Sequence, residues 1–251
     1  MFRIIRLILA ALIGALAAGC GIDGLTPASD NAPTAPVAQL RKAVPDFPSN
    51  PKDFVARIDN PYLAFERGKV FRYEGVTGDG LETIVVEVTH ATKRIIGVAT
   101  TVVHDQAFLN GKLIEDTFDW YAQDKNGNVW YFGEDSKEIE NGVVVSTEGS
   151  WEAGVNGARP GIIMLAEPKI GTQYQQEFAE GVAEDMAKVL SLSETVEVPV
   201  GMFEGCLKTE EWTPLAPGAR EFKFYAPGVG LVLEVQRRDG GVRVELKVIK
   251  N

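Results

Sequence analysis

Residues 117–135, TFDWYAQDKNGNVWYFGED, place two of the chain's four tryptophans on either side of an Asn-Gly pair. Phe118, Trp120 and Ala122 alternate with Asp119, Tyr121 and Gln123, and after Asn126-Gly127 the run 129–132 returns. Alternation sends successive side chains to opposite faces of a strand, and Asn-Gly supplies the positive φ of a primed turn, so the stretch predicts a β-hairpin. The same punctuation recurs at Asp79-Gly80, Asn110-Gly111, Asn141-Gly142, Asn156-Gly157 and Asp239-Gly240. The four pairs from Asn110 to Asn156 stand 15 or 16 residues apart, which leaves room for strands of about five to eight residues with their connections. Segments 69–73, 83–89, 97–105, 143–147, 195–200, 221–225, 231–236 and 242–249 are suitably β-branched and aromatic. The expected fold is mainly β, an antiparallel meander forming one curved sheet or an open barrel. Only 181–191 has a helix-favouring composition, and Val182 and Val189 argue against its length.

Residues 1–19 stand apart from any fold argument. Arg3 and Arg6 precede an apolar run, 7–18, that is too short to span a bilayer comfortably, and Gly19-Cys20 closes it. The letters LAAGC at 16–20 resemble the lipobox of bacterial lipoproteins, which implies cleavage ahead of Cys20 and acylation of that cysteine with palmitate-class chains. An ordinary secretory signal and a single membrane anchor are the alternatives. Several acyl chains on one residue hold a protein stably to a membrane. Gly21 follows Cys20 where aspartate would suggest inner-membrane retention, so the outer membrane is the expected destination in a host that has one. Segment 20–58, with prolines at 27, 33, 36, 45, 48 and 51, reads as the lipidated cysteine and a flexible tether. Residues 59–251 are then the β domain, in the cell envelope on the extracytoplasmic side. With Cys20 acylated, Cys206 has no partner for a disulfide. A net charge of −10 disfavours nucleic acid. The expected partners are the membrane, through the anchor, and a small-molecule, lipidic or protein ligand.

FDWYAQDKNGNVWY from Phe118 and FKFYAPGVGLVL from Phe222 share Phe-x-x-Tyr-Ala at an offset of 104, which Gly97 and Gly201 repeat, while Gly68 and Gly171 stand 103 apart. Two internally similar halves and convergent hairpin composition both account for these matches. With VPVGMFEGC at 198–206 and YAPGVGLVLEV at 225–235, the chain resembles a group of bacterial exported proteins and lipoproteins that carry this ordered pair of motifs. Members also have an Asn-Pro-Tyr segment, here Asn60-Pro61-Tyr62, a glycine before an aromatic strand, here 68–73, and a stretch like DWYAQDKNGNVWYFGED. The resemblance spans roughly 60–235 and implies an exported, mainly β domain. It transfers no catalytic residue.

The candidates for chemistry are few. Trp120, Tyr121, Trp130, Tyr131 and Trp151 are the candidate ligand-binding aromatics: one face of the hairpin packs the core and the other faces solvent or a concavity, with the glycine-rich 149–164 as a mobile rim. Asp124, Asn126 and Asn128 alternate as oxygen donors, with Glu134 and Asp135 across the turn, as a calcium site would need. The spacing departs from the calcium-loop pattern, and an Asx-stabilised turn explains the same letters. His90 and His104 could bridge a metal from adjacent strands, or be ordinary strand histidines. Ser150 lacks a nucleophile elbow. Cys206 is a nucleophile or a small buried apolar residue, and the 35 acidic residues offer many carboxylate pairs without singling one out. No cofactor is named by these residues. A binding lipoprotein is the expected function; an envelope hydrolase using carboxylates or Cys206, and a structural or assembly lipoprotein, are the alternatives.

Overall fold

The computed structural model describes residues 45–236 and 242–251. The expected signal peptide, Cys20 and the Asp239-Gly240 turn lie outside them. Strands β1 (Phe54–Val55), β2 (Val70–Thr77), β3 (Gly80–Ile95), β4 (Val98–Leu109), β5 (Lys112–Asp124) and β6 (Val129–Glu140) come first. Shorter strands follow: β7 (Val143–Ser146), β8 (Trp151–Glu152), β9 (Arg159–Met164), β10 (Gln173–Gln175) and β11 (Glu177–Phe178). The chain ends with β12 (Met186–Val198), β13 (Gly201–Trp212), β14 (Arg220–Ala226), β15 (Gly230–Gln236) and β16 (Arg243–Lys250). They form one antiparallel sheet, curled into a nearly closed barrel with one unsealed seam. The expected curved sheet or open barrel is what forms.

The strand order divides into two six-stranded runs, β2-β3-β4-β5-β6-β9 and β10-β12-β13-β14-β15-β16. They join head to tail. The last strand of the second run, β16, pairs with β2, and β11, one residue beyond β10, pairs with β9. The opening of each run repeats in backbone detail. Gly68 N donates to Val88 O at 2.7 Å and Val88 N to Lys69 O at 2.9 Å; Gly171 N donates to Val189 O at 2.9 Å and Val189 N to Thr172 O at 2.9 Å.

Local chemistry explains most turns. Asn110 and Asn141 take φ of 51° and 52° ahead of Gly111 and Gly142, as primed hairpin turns require. The turn at Asn126-Gly127 is different from the expected primed one, because only Gly127 has positive φ. Asp124 Oδ1 accepts from Asn126 N at 2.8 Å and from Asn128 N at 3.0 Å, which shapes an Asx turn closed by the glycine. Residues 181–191 do not form a helix: β12 starts at Met186, and Ala187 and Val189 pair with Glu211 and Thr209. Tertiary pairing there overrides propensity. Segment 149–164 is no loose rim, since it contains β8 and β9 and buries Ile162, Ile163 and Met164. The packed body also reaches back into the expected tether. Phe47 and Phe54 set their rings 5.2–5.9 Å from Trp130 and Phe132 on the outer face of the sheet, and β1 pairs with β5.

The closure is tightest where Gly161 of β9 passes Gln176. A β-carbon on Gly161 would overlap the Gln176 carbonyl, and backbone cannot yield as a flexible side chain can. Gly161→Ala is expected to destabilise the protein by about 3 kcal/mol in urea denaturation. Gly78→Ala is expected to change stability by no more than about 0.5 kcal/mol, since a β-carbon there meets nothing within 4 Å.

Candidate functional site

One end of the barrel is closed by a segment that is not a strand. Asn60, 1% exposed, donates through Nδ2 to Gly127 O at 2.8 Å and to Leu165 O at 3.0 Å, while its Oδ1 accepts from Tyr62 N at 2.9 Å. Gln123 Oε1 accepts from the backbone N–H groups of Asp59 and Asn60. On the far side Gly228 N donates to Pro61 O at 2.7 Å. The Asn-Pro-Tyr segment is therefore gripped between the DKNGN turn and the PGVG turn, three motifs that lie far apart in the chain. Leu63 and Phe65 project from it into the barrel as a plug.

Beneath the plug lies a cavity of about 50 Å³, more than a single water needs. Its walls are Leu63, Phe65, Phe71, Tyr73, Ile84, Val86, Tyr121, Ile163, Tyr225, Val229, Leu231 and Val244. Charge enters at its inner end, where Asp105, Lys223 and Glu234 join the lining. Lys223 is already committed: its Nζ lies 2.9 Å from Glu211 Oε2 and 2.9 Å from Glu221 Oε1. Asp105 Oδ2 and the Tyr121 hydroxyl are buried and receive or make no hydrogen bond within the protein.

The inward face of the sheet is unusually acidic. Among the described residues, nine acidic side chains and one lysine are buried. In the first run the inward acids include Glu82, Asp105, Asp119 and Glu134; Glu211, Glu221 and Glu234 face inward from the second, with Glu177 at the seam. Low-dielectric surroundings disfavour the charged form of a carboxyl group. Burial, then Asp119, Glu115 and Glu234, push Asp105 well above the usual carboxylate range. Burial raises Asp119 to about 7, against the pull of the 2.6 Å hydrogen bond from Tyr131. Glu134, opposite Asp119 across the β5–β6 hairpin, is pushed well up by burial, Glu177 and Asp119. Burial raises Asp185 to about 6, against the pull of Lys223. Burial alone would lower Lys223, but Glu211 and Glu221 outweigh it and hold the ammonium.

The aromatic candidates divide between faces, and all are buried. Tyr121 and Tyr131 stack inside at 4.7 Å, with Phe65 of the plug 5.3 Å from Tyr121 and Trp151 edge-on to Tyr131 at 5.4 Å. Only Tyr121 of the five reaches the cavity. Trp120 lies on the outer face under the Lys93 ammonium, 3.3 Å from the ring centre. Trp130 packs on Phe47 and donates to Asp124 Oδ2 at 2.9 Å.

Of the five oxygen donors considered for calcium, Asp124, Asn126 and Asn128 share one turn, and Glu134 and Asp135 are directed away from it. Asp124 spends both oxygens on Asn126, Asn128 and Trp130, Asn128 Oδ1 accepts from Ala166 N, Glu134 points inward, and Asp135 pairs with Lys137 at 2.8 Å. Among the described residues no group of three or more His, Cys, Asp or Glu is arranged to hold a metal ion. His104 is 2.7 Å from Asp116 and stacks on Phe118, with Glu87 rather than His90 as its cross-strand partner. Cys206 is buried, its thiol directed at Phe203 O, and burial followed by Glu194 raises its pKa, the reverse of what a nucleophile needs. Ser150 is tied to the backbone of Ser136.

No family model and no curated protein matches the chain. Two solved structures are similar in fold. One, from Bacteroides fragilis, is described as an exported protein with a YmcC-like fold, at 17% identity and a TM-score of 0.44 over 78% of this chain and 100% of that one. The other, from Parabacteroides distasonis, is described as a lipoprotein, at 13% identity and a TM-score of 0.42 over the same shares. Likeness at this level transfers no function.

The raised carboxyl groups make stability depend on pH. From the unfolded value near 4 up to about 7, folded Asp119 keeps a proton that the unfolded chain has released. Stability therefore falls as pH rises through that window and levels off above it. Urea denaturation is expected to show the protein more stable at pH 5 than at pH 7, with Asp119 alone contributing on the order of 2 kcal/mol. Asp119→Asn should flatten that part of the profile.

Proposed function

We propose that this is an extracytoplasmic lipoprotein, held to a membrane through acylated Cys20, whose barrel receives a small apolar or amphiphilic molecule beneath the 59–65 plug. The observation that carries this reading is the cavity itself. It is apolar over most of its wall, yet ends on a buried carboxyl oxygen without a hydrogen-bond partner in the protein. Ligand pockets combine largely apolar walls with a few placed polar groups. About 50 Å³ takes only a few heavy atoms, so a larger molecule enters by displacing Leu63 and Phe65. Such displacement breaks side-chain and turn contacts and leaves the strand ladders intact, because the plug contributes no strand to the sheet. The buried thiol and the scattered histidines lend nothing to the hydrolase alternative.

The full-length protein, solubilised from membranes in a copolymer without detergent, is expected to release a co-purifying small molecule on organic extraction, detected by mass spectrometry. Val86→Phe, which fills the cavity wall, should fold by thermal melting and lose that molecule; its absence from the unaltered protein, or its retention by the variant, would count against the reading. The anchor has its own test. Metabolic labelling with an alkyne fatty acid should mark the protein, and Cys20→Ser should abolish the label and leave the precursor uncut.

A further inference from the structure

We propose that the molecule taken up under the plug carries a positively charged end, a protonated amine on an apolar body, and that Asp105 receives it. The inference rests on the cavity reading above and adds the ligand's chemical class.

Two independent observations converge on it. The first is Asp105: it is 8% exposed, lines the cavity, and offers an Oδ2 that takes no hydrogen bond from the protein. The second is a comparison the molecule makes with itself. Asp119 and Lys223 each follow the phenylalanine of the shared Phe-x-x-Tyr-Ala, and each faces a glutamate across its hairpin, Glu134 and Glu234 respectively. In the second run an ammonium built into the chain sits within the acid cluster, with Lys223 Nζ at 2.9 Å from two carboxylates, although burial and Glu234 still push Glu221 well up. In the first run the matching position is itself an acid, and both Glu134 oxygens lack hydrogen-bond partners at 1% exposure. Among the described residues the one buried lysine pairs with two acids of the second run, and Asp105 is the acid of the first run that reaches the cavity, where Lys223 acts on it through its charge alone.

Charge then selects the ligand. A fatty acid or a phosphate would bring a further anion among buried carboxyl groups, and Lys223 is already held by Glu211 and Glu221, so an anionic head would go uncompensated. An amine gains a charge-assisted hydrogen bond. Proton balance is simple: an amine arriving neutral takes the proton of a protonated Asp105, leaving an ammonium–carboxylate pair. An amine arriving protonated displaces that proton to solvent.

The test uses three probes of equal chain length, hexylamine, hexanol and hexanoate, titrated calorimetrically at pH 7 into the full-length protein and into Asp105→Asn. Hexylamine is expected to bind one per chain, about tenfold or more tighter than hexanol, the ratio a single charge-assisted hydrogen bond supplies. Hexanoate should give no measurable heat. Asp105→Asn, whose folding is checked by melting, should erase the amine's advantage over hexanol. If hexanoate binds as well as hexylamine, or Asp105→Asn leaves the amine preference intact, the charge inference falls and the cavity reading stands. If none of the three binds one per chain, the cavity reading itself fails.

Discussion

The pairing of Lys223 with Glu211 and Glu221, inside a sheet that buries nine acidic side chains among the described residues, is the interaction on which the interior depends. Each buried carboxyl group must be paired, hydrogen-bonded or protonated, because an isolated charge in low dielectric is far too costly to keep. Near Lys223 the first two solutions hold Glu211, while burial still pushes Glu221 and Glu234 up. Thr209 and Tyr225 add hydrogen bonds to Glu211 at 2.7 and 3.1 Å. Around Asp119 and Glu134 burial leads the causes that push both carboxyl groups toward the protonated form. The two halves of the barrel therefore differ in that one carries the buried lysine among its acids.

That asymmetry sits on a nearly symmetric frame. Two six-stranded runs meet head to tail, each opened by the same glycine hydrogen-bond pattern. The seam between β9 and β11 is short, and Gly161 permits the backbones to pass there where any side chain would hold them apart. At the barrel end Asn60 does comparable work with a side chain, reaching the carbonyls of Gly127 in the β5–β6 turn and of Leu165 just after β9. Closure of this barrel relies on a few close approaches at its ends and its seam.

Much of the sheet was legible in residues alone. The Asn-Gly pairs at 110 and 141 mark primed turns, and the alternation of 118–123 correctly separates Trp120 from Tyr121. The turn at Ile96-Gly97 was not legible, since a β-branched residue at a φ of 40° is rare and nothing announces it. Strand β13 was also missed. Its inward residues include Thr209 and Glu211, so the apolar alternation that reveals a half-buried strand is absent. The same polar interior hid the candidate site: Asp105, Lys223 and Glu234 look like solvated charges in a strand until the sheet closes around them.

Residue order by itself determined the antiparallel meander and the places of most turns, because these depend on local φ preferences and on alternation within a few residues. Tertiary structure alone decided which face is inside, where the plug lands, and which acids meet a lysine. Those outcomes depend on register between strands distant in the chain, and a carboxylate's cost and chemistry are set by the neighbours that register brings. The Asn-Pro-Tyr, Asp-Lys-Asn-Gly-Asn and Pro-Gly-Val-Gly letters were each visible as separate motifs, and only the closed sheet makes them one site.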